Sequence, residues 1–240
     1  MRPQTLNILE INVISIISNE KRASLTELLK RHKPDVGLLC ETKLNNKHKI
    51  HQKWPNAVQC GSTGILIKNN IKFKNSSRPF SKSNIRNNYL EIKTVQPNNN
   101  NLFLIAAYAT NSGKNEFTAE MNKIFKILET RKNKYYFLPA RDLNANHSAW
   151  NNSTDNNRGV ALYKWIQTIT YRLTLLHTEV RSYPKGESFL DICITDNRFH
   201  FHGLTAQKKL KSFKYDHRTV SIKISLKANE HFEIDENIPT

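Results

Sequence analysis

The feature that most constrains this chain is a repeated juxtaposition: short apolar strands, each running into a polar residue capable of chemistry. Leu9-Glu10-Ile11 leads to Asn12, and Leu38-Leu39-Cys40 leads to Glu41. Phe137-Leu138 leads to Asp142-Leu143-Asn144. Phe189-Leu190 leads to Asp191-Ile192, and Asp216-His217 opens the last apolar strand. Burying an unpaired carboxylate costs several kcal/mol or shifts its pKa until it is neutral. Several acids at strand ends are tolerable where they converge on a cation.

The elements between these points follow from periodicity. Leu6 to Val13 reads as a buried strand. Lys21 to Arg31 places Leu25, Leu28 and Leu29 on one face of a short amphipathic helix. Lys33-Pro34-Asp35 ends it, because proline disfavours the helical conformation in the residue before it. Val36 to Cys40 is a second apolar strand, and an irregular basic stretch follows to about Cys60. Gly64 to Lys68 and Tyr89 to Val95 are expected strands, and the Pro97-to-Asn101 turn joins the latter to Leu102–Tyr108 as a hairpin. Asn115 to Lys132 carries Phe117, Met121, Ile124, Phe125 and Leu128 at helical spacing. Tyr135 to Leu138 is a strand and Gly159 to Thr168 a helix. Short strands are expected at Leu173–Leu176, Phe189–Thr195 and Thr219–Leu226.

Many short strands with few helices imply an α+β fold, two packed sheets flanked by helices. Residues 1–226 are expected to form one domain and 227–240 a polar tail or linker. The longest apolar run, Leu102 to Ala109, is far too short to span a bilayer. The N-terminus shows no charged-then-apolar leader, so secretion is not indicated. Cys40, Cys60 and Cys193 form no Cys-x-x-Cys pair, which argues against a disulfide framework or structural zinc and for a reducing compartment. His200 and His202 share a strand face without an evident third ligand, so a surface strand is expected there. Core packing is the expected role of Trp54, Trp150 and Trp165. The net charge of +17 favours polyanionic partners. Lys, Asn and Ile also have AT-rich codons, so the charge serves as support only.

Taken in order, these pieces resemble the endonuclease/exonuclease/phosphatase superfamily, and within it the apurinic-type endonuclease domain of non-LTR retrotransposons. The matching pieces are Ile11-Asn12, Cys40-Glu41-Thr42, Ala106-Ala107-Tyr108-Ala109, Asp142-Leu143-Asn144-Ala145, Leu190-Asp191 and Asp216-His217. Asn146-His147-Ser148-Ala149-Trp150, Asn156-Asn157-Arg158-Gly159 and the run Glu187 to Thr195 resemble insect-type elements. The match covers about residues 6 to 226. It implies a four-layer α/β sandwich with two mostly antiparallel sheets.

The resemblance also implies roles. Asn12, Glu41 and Asp216 would hold magnesium, or manganese in its place, through hard oxygen ligands. Asp142 would orient and deprotonate water, and Asn144 would hydrogen-bond the phosphate. His217, oriented by Asp191, would contact the scissile phosphate, and Tyr108 would sit near the leaving oxygen. His147 would help anchor the loop after Asn144. Such a domain nicks double-stranded DNA in the nucleus, and the freed 3′-hydroxyl primes a reverse transcriptase of the same polyprotein on element RNA. As an isolated domain it would be monomeric and free of membrane.

Two positions depart from the family pattern. Arg141 stands where a glycine usually precedes the first catalytic Asp, and Tyr215 where a small Ser usually precedes Asp-His. A drifted copy with reduced activity would carry such changes. The alternatives are a phosphatase of the same superfamily, whose members share these motifs, and a catalytically impaired DNA-binding relic.

Overall fold

The computed structural model describes residues 5–44, 57–60, 63–75, 85–92, 102–109, 117–119, 121–122, 135–140, 143–168, 173–186, 188–196, 199–206 and 217–228. The first sheet contains β1 (Thr5–Asn12), β2 (Val36–Cys40), β3 (Ala57–Cys60), β4 (Thr63–Ile67), β11 (Phe199–Ala206) and β12 (Val220–Ala228), in the order β11-β12-β1-β2-β4-β3. The second contains β5 (Phe73–Asn75), β6 (Ile85–Ile92), β7 (Leu102–Ala109), β8 (Tyr135–Ala140), β9 (Leu173–His177) and β10 (Ile192–Asp196), in the order β5-β6-β7-β8-β10-β9. Each sheet has one parallel pair, β1 with β2 and β7 with β8, among antiparallel neighbours.

A parallel pair needs a crossover. Helix α1 (Asn19–His32) supplies the first. Ser18 caps it by accepting from the Lys21 N–H, and Lys33 closes it in the left-handed region with its N–H on the Leu29 carbonyl. Residues 117–119 and 121–122, between β7 and β8, are helical, with Phe117 and Met121 buried one turn apart. The rest of the helix expected from Asn115 to Lys132 lies outside the described residues.

Strand alternation sorts the core. Leu6 and Ile8 of β1, Val36 and Leu38 of β2, and Ile65 and Ile67 of β4 face inward. They meet Leu102, Leu104 and Cys193 of the second sheet, with Val220, Ile222 and Ile224 beside them. The opposite faces of the same strands present Leu9, Ile11, Leu39 and Leu66 to Leu25 and Leu28 of α1. Helix α2 (Asn157–Gln167) contacts β9, and its Arg158 guanidinium lies over Phe117, 5.8 Å from the ring centroid. The architecture is the four-layer sandwich expected, helix–sheet–sheet–helix. Burying each such Leu or Ile stabilises by about 1.5–3 kcal/mol.

Several boundaries differ from expectation. Residues 57–60, read as irregular, pair with β4 as a strand, and Phe73–Asn75 pairs with β6. Strand β6 starts at Ile85, and its full ladder to β7 bears out the hairpin. The last strand runs to Ala228, two residues into the expected tail, and residues 229–240 lie outside the described set. Phe189 to Asp191 precede β10 and do not belong to it.

Candidate active site

Register brings the polar strand ends to one end of the sandwich. Asn12 pairs with Cys40 across the parallel β1–β2 ladder, so Asn12 and Glu41 emerge together. β12 runs antiparallel to β1 with Val220 opposite Glu10, which sets His217 beside the same carboxyl end. In the second sheet, Ala107 pairs with Ala140 and Ile192 with Ala140, so the carboxyl ends of β7 and β8 meet the start of β10, where Asp191 sits. The ring of His217, from the first sheet, then reaches the Asp191 carboxylate of the second. That contact ties the two sheets together at this end.

Asn12 shares the inward parity of Leu6 and Ile8 and is 1% exposed. Its amide nitrogen donates to Glu41 Oε1 at 2.9 Å, while its oxygen accepts the Ile14 N–H at 3.1 Å. Because a backbone N–H requires an oxygen, the amide orientation is set and Glu41 is held as the acceptor. An amide oxygen and an adjacent carboxylate make a hard donor set, which fits magnesium. No cluster of three His, Cys, Asp or Glu occurs among the described residues. Asp142 and Asp216, which the sequence adds to the site, lie outside them, as do Arg141 and Tyr215.

Backbone strain collects here. Ile14, Glu41, Lys43 and Asn144 have φ of 48°, 54°, 52° and 51°, in the left-handed region. Each such residue costs roughly 1–3 kcal/mol, and a β-branched Ile is a true outlier. Val13 N–H to Cys40 O and Ile16 N–H to Thr42 O, both 3.0 Å, hold the two loops against each other. Arg22 Nε donates to the Ile16 carbonyl at 2.8 Å from α1.

Asp191 and His217 are 1% and 8% exposed, with Nδ1 to Oδ2 at 3.4 Å. Donation from Nδ1 leaves Nε2 as the other polar atom of the ring. Tyr183 covers the imidazole with ring centroids 4.8 Å apart. Ser182 ties the two segments: its hydroxyl accepts the N–H groups of Leu190 and Asp191 at 3.2 and 3.1 Å. Its carbonyl accepts the Arg218 N–H at 2.8 Å. A Cβ at Gly186 would stand 2.4 Å from the Tyr183 ring, so any larger residue there would displace that ring.

The loop carrying Asn144 is built by the two motifs that follow it. Asn156 caps α2 by accepting the Gly159 N–H at 2.8 Å and turns its amide nitrogen onto the Asn144 carbonyl, also 2.8 Å. Arg158 Nη1 donates to the Leu143 carbonyl at 3.2 Å, and Trp150 Nε1 to the Ala145 carbonyl at 2.9 Å. His147 stacks on Tyr163 and Trp150 at 4.3 and 5.0 Å, accepts the Ala149 N–H at Nδ1, and faces Asp155 at 3.6 Å. It is a loop anchor, as expected. Trp150 and Trp165 are buried, as core residues are. Trp54 and the side chains of Tyr108, His200 and His202 lie outside the described set.

Ser182, Asn152 and Tyr183 were not singled out from sequence. A serine before an aromatic residue is too common a string to flag, and only the fold sets it under Asp191.

Solved structures with this architecture share the endonuclease/exonuclease/phosphatase fold. The endonuclease domain of TRAS1, a telomere-specific non-LTR retrotransposon, superposes with a TM-score of 0.68 at 14% identity, over 92% of this chain and 99% of that one. The AP endonuclease of Leishmania major gives 0.67 at 13%, over 92% and 88%. The catalytic domain of human Nocturnin gives 0.62 at 13%, over 93% and 95%. No curated protein matches the chain. The endonuclease-reverse transcriptase family model matches residues 102–221, half of the 240 residues, and the chain belongs to that family.

Proposed function

We propose that the chain is a magnesium-dependent endonuclease that nicks double-stranded DNA to prime target-site reverse transcription of a non-LTR retrotransposon. The observation that carries this reading is the convergence of the Asn12–Glu41 pair and the Asp191–His217 pair at one end of the sandwich. The family and the basic charge of the chain support a DNA substrate.

Asn12, Glu41 and Asp216 would hold the ion, which when bound supplies Lewis-acid stabilisation of the phosphate oxygens. Asp142 takes a proton from water as its oxygen adds to phosphorus. The P–O3′ bond breaks and the leaving oxygen gains a proton, with Tyr108 near it as donor. Asn144, held on a strained but heavily bonded loop, donates to the phosphate and keeps it in line. His217, oriented by Asp191, meets the phosphate through Nε2. The freed 3′-hydroxyl is then the primer for a reverse transcriptase of the same polyprotein, templated by element RNA. The domain acts in the nucleus as a monomer.

The test is nicking of supercoiled plasmid in magnesium, with a water-soluble inositol phosphate as competing substrate. Asp142→Ala or His217→Ala abolishes nicking. Equal cleavage by all three proteins refutes the proposal, as does preference for the inositol phosphate. Salt-sensitive DNA binding without cleavage identifies an impaired relic.

A further inference from the structure

The segment that presents Asp191 has an unusual backbone. Phe189, Leu190 and Asp191 are buried, yet they precede β10 and stand outside its ladders. Their polar groups must be satisfied by something else. Leu190 and Asp191 give their N–H groups to the Ser182 hydroxyl. Phe189 gives its N–H to Asn152 Oδ1 at 2.9 Å, and its carbonyl accepts from Asn152 Nδ2 at 3.3 Å. The carboxamide thus stands in for a neighbouring strand.

Asn152 is 6% exposed, and its own N–H donates to the His147 carbonyl at 3.3 Å. Through that bond it belongs to the loop of Asn144, which Trp150 closes from within by its bond to Ala145. One side chain therefore joins the platform of Asn144 to the segment of Asp191. Asp191 in turn orients His217.

We infer that Asn152 is a positioning residue that sets Asn144 and the Asp191–His217 pair in register across a bound phosphate. The inference rests on the nuclease reading for its catalytic consequence, but not for its structural one. Asn152→Asp has the same shape and keeps the acceptor for Phe189 N–H, while it turns a carboxylate oxygen toward the Phe189 carbonyl. The Phe189 segment then shifts, and Asp191 moves with it.

The test compares the full chain, Asn152→Asp and the core variant Ile8→Val, which lowers the melting temperature without touching either loop. In protein labelled with ¹⁵N-histidine at one fixed pH, the His217 ring resonances are assigned by their loss in His217→Gln. They shift in Asn152→Asp and stay in place in Ile8→Val. On plasmid, Asn152→Asp loses about 10- to 100-fold in kcat with KM for DNA changed less than about twofold, the cost of misplacing groups by an ångström or less. Folded Asn152→Asp with an unmoved His217 spectrum overturns the inference, whatever the protein cleaves. A wild-type chain that nicks nothing sinks the proposed function instead, and the His217 spectrum still decides this inference.

Discussion

Gly159→Ala reverses an ordinary expectation. Gly159 lies in the first turn of α2, where replacing glycine by alanine stabilises a helix by about 1 kcal/mol. Here the new methyl carbon would lie 1.7 Å from the Asn146 carbonyl oxygen, 2.4 Å from its carbon and 3.0 Å from its nitrogen. All three are backbone atoms, so no flexible side chain can move aside. The loop or the helix start must retreat by roughly 1.7 Å to reach ordinary contact. That distance breaks the bonds that cross the gap. They are Asn156 N–H to Asn146 O, Asn156 Nδ2 to Asn144 O and Arg158 to Leu143 O. Each neutral bond is worth about 1 kcal/mol and the charged one about 1.5–3. Partial loss of the set, less the helical gain, leaves a destabilisation of about 1–3 kcal/mol. Urea unfolding monitored by tryptophan fluorescence measures it as a lower midpoint at constant m. Nicking falls as well, because Asn144 loses the support of its carbonyl. A variant as stable as the parent, or more stable, would falsify the close-packing argument.

Three further outcomes follow from the same geometry. Ser182→Ala leaves the buried N–H groups of Leu190 and Asp191 without their acceptor and destabilises by about 2 kcal/mol in urea; a change under about 0.5 kcal/mol contradicts the bridge. At φ of 51°, Asn144→Val costs roughly 1–2 kcal/mol of stability while Asn144→Gly does not, and both lose nicking; equal melting temperatures for the two refute the left-handed assignment. Burial, and secondarily Glu10, hold the Cys193 thiol well above the ordinary cysteine range, so it stays protonated where an ordinary cysteine ionises. Only the thiolate is a nucleophile, so folded Cys193 resists iodoacetamide at pH 9.0 and reacts after urea is added, read by mass spectrometry. Alkylation at the unfolded rate in the native state rules this out.

Much of the fold was legible in the residues. Leu25 and Leu28 marked the buried face of α1, Pro34 lay just past its end, and Val36–Cys40 was a strand by composition. The elements that escaped are those held by neighbours more than by their own pattern. Ile85-Arg86-Asn87-Asn88 is too polar to read as strand, yet each residue pairs with β7. Phe189-Leu190-Asp191 has the apolarity of a strand but sends its N–H groups to Asn152 and Ser182.

The candidate site divides in the same way. Strand-end polarity and motif order singled out Asn12, Glu41, Asn144, Asp191 and His217, because a polar group at the end of a buried strand is conspicuous along the chain. The resemblance implied the Asp191–His217 pair, but that its members come from opposite sheets, and that Asn152 and Ser182 hold Asp191 in place, was decided only by tertiary structure. Periodicity records which side of an element is buried. Pairing between strands distant in sequence decides which ends meet, and buried backbone groups accept whatever partner the completed fold brings to them.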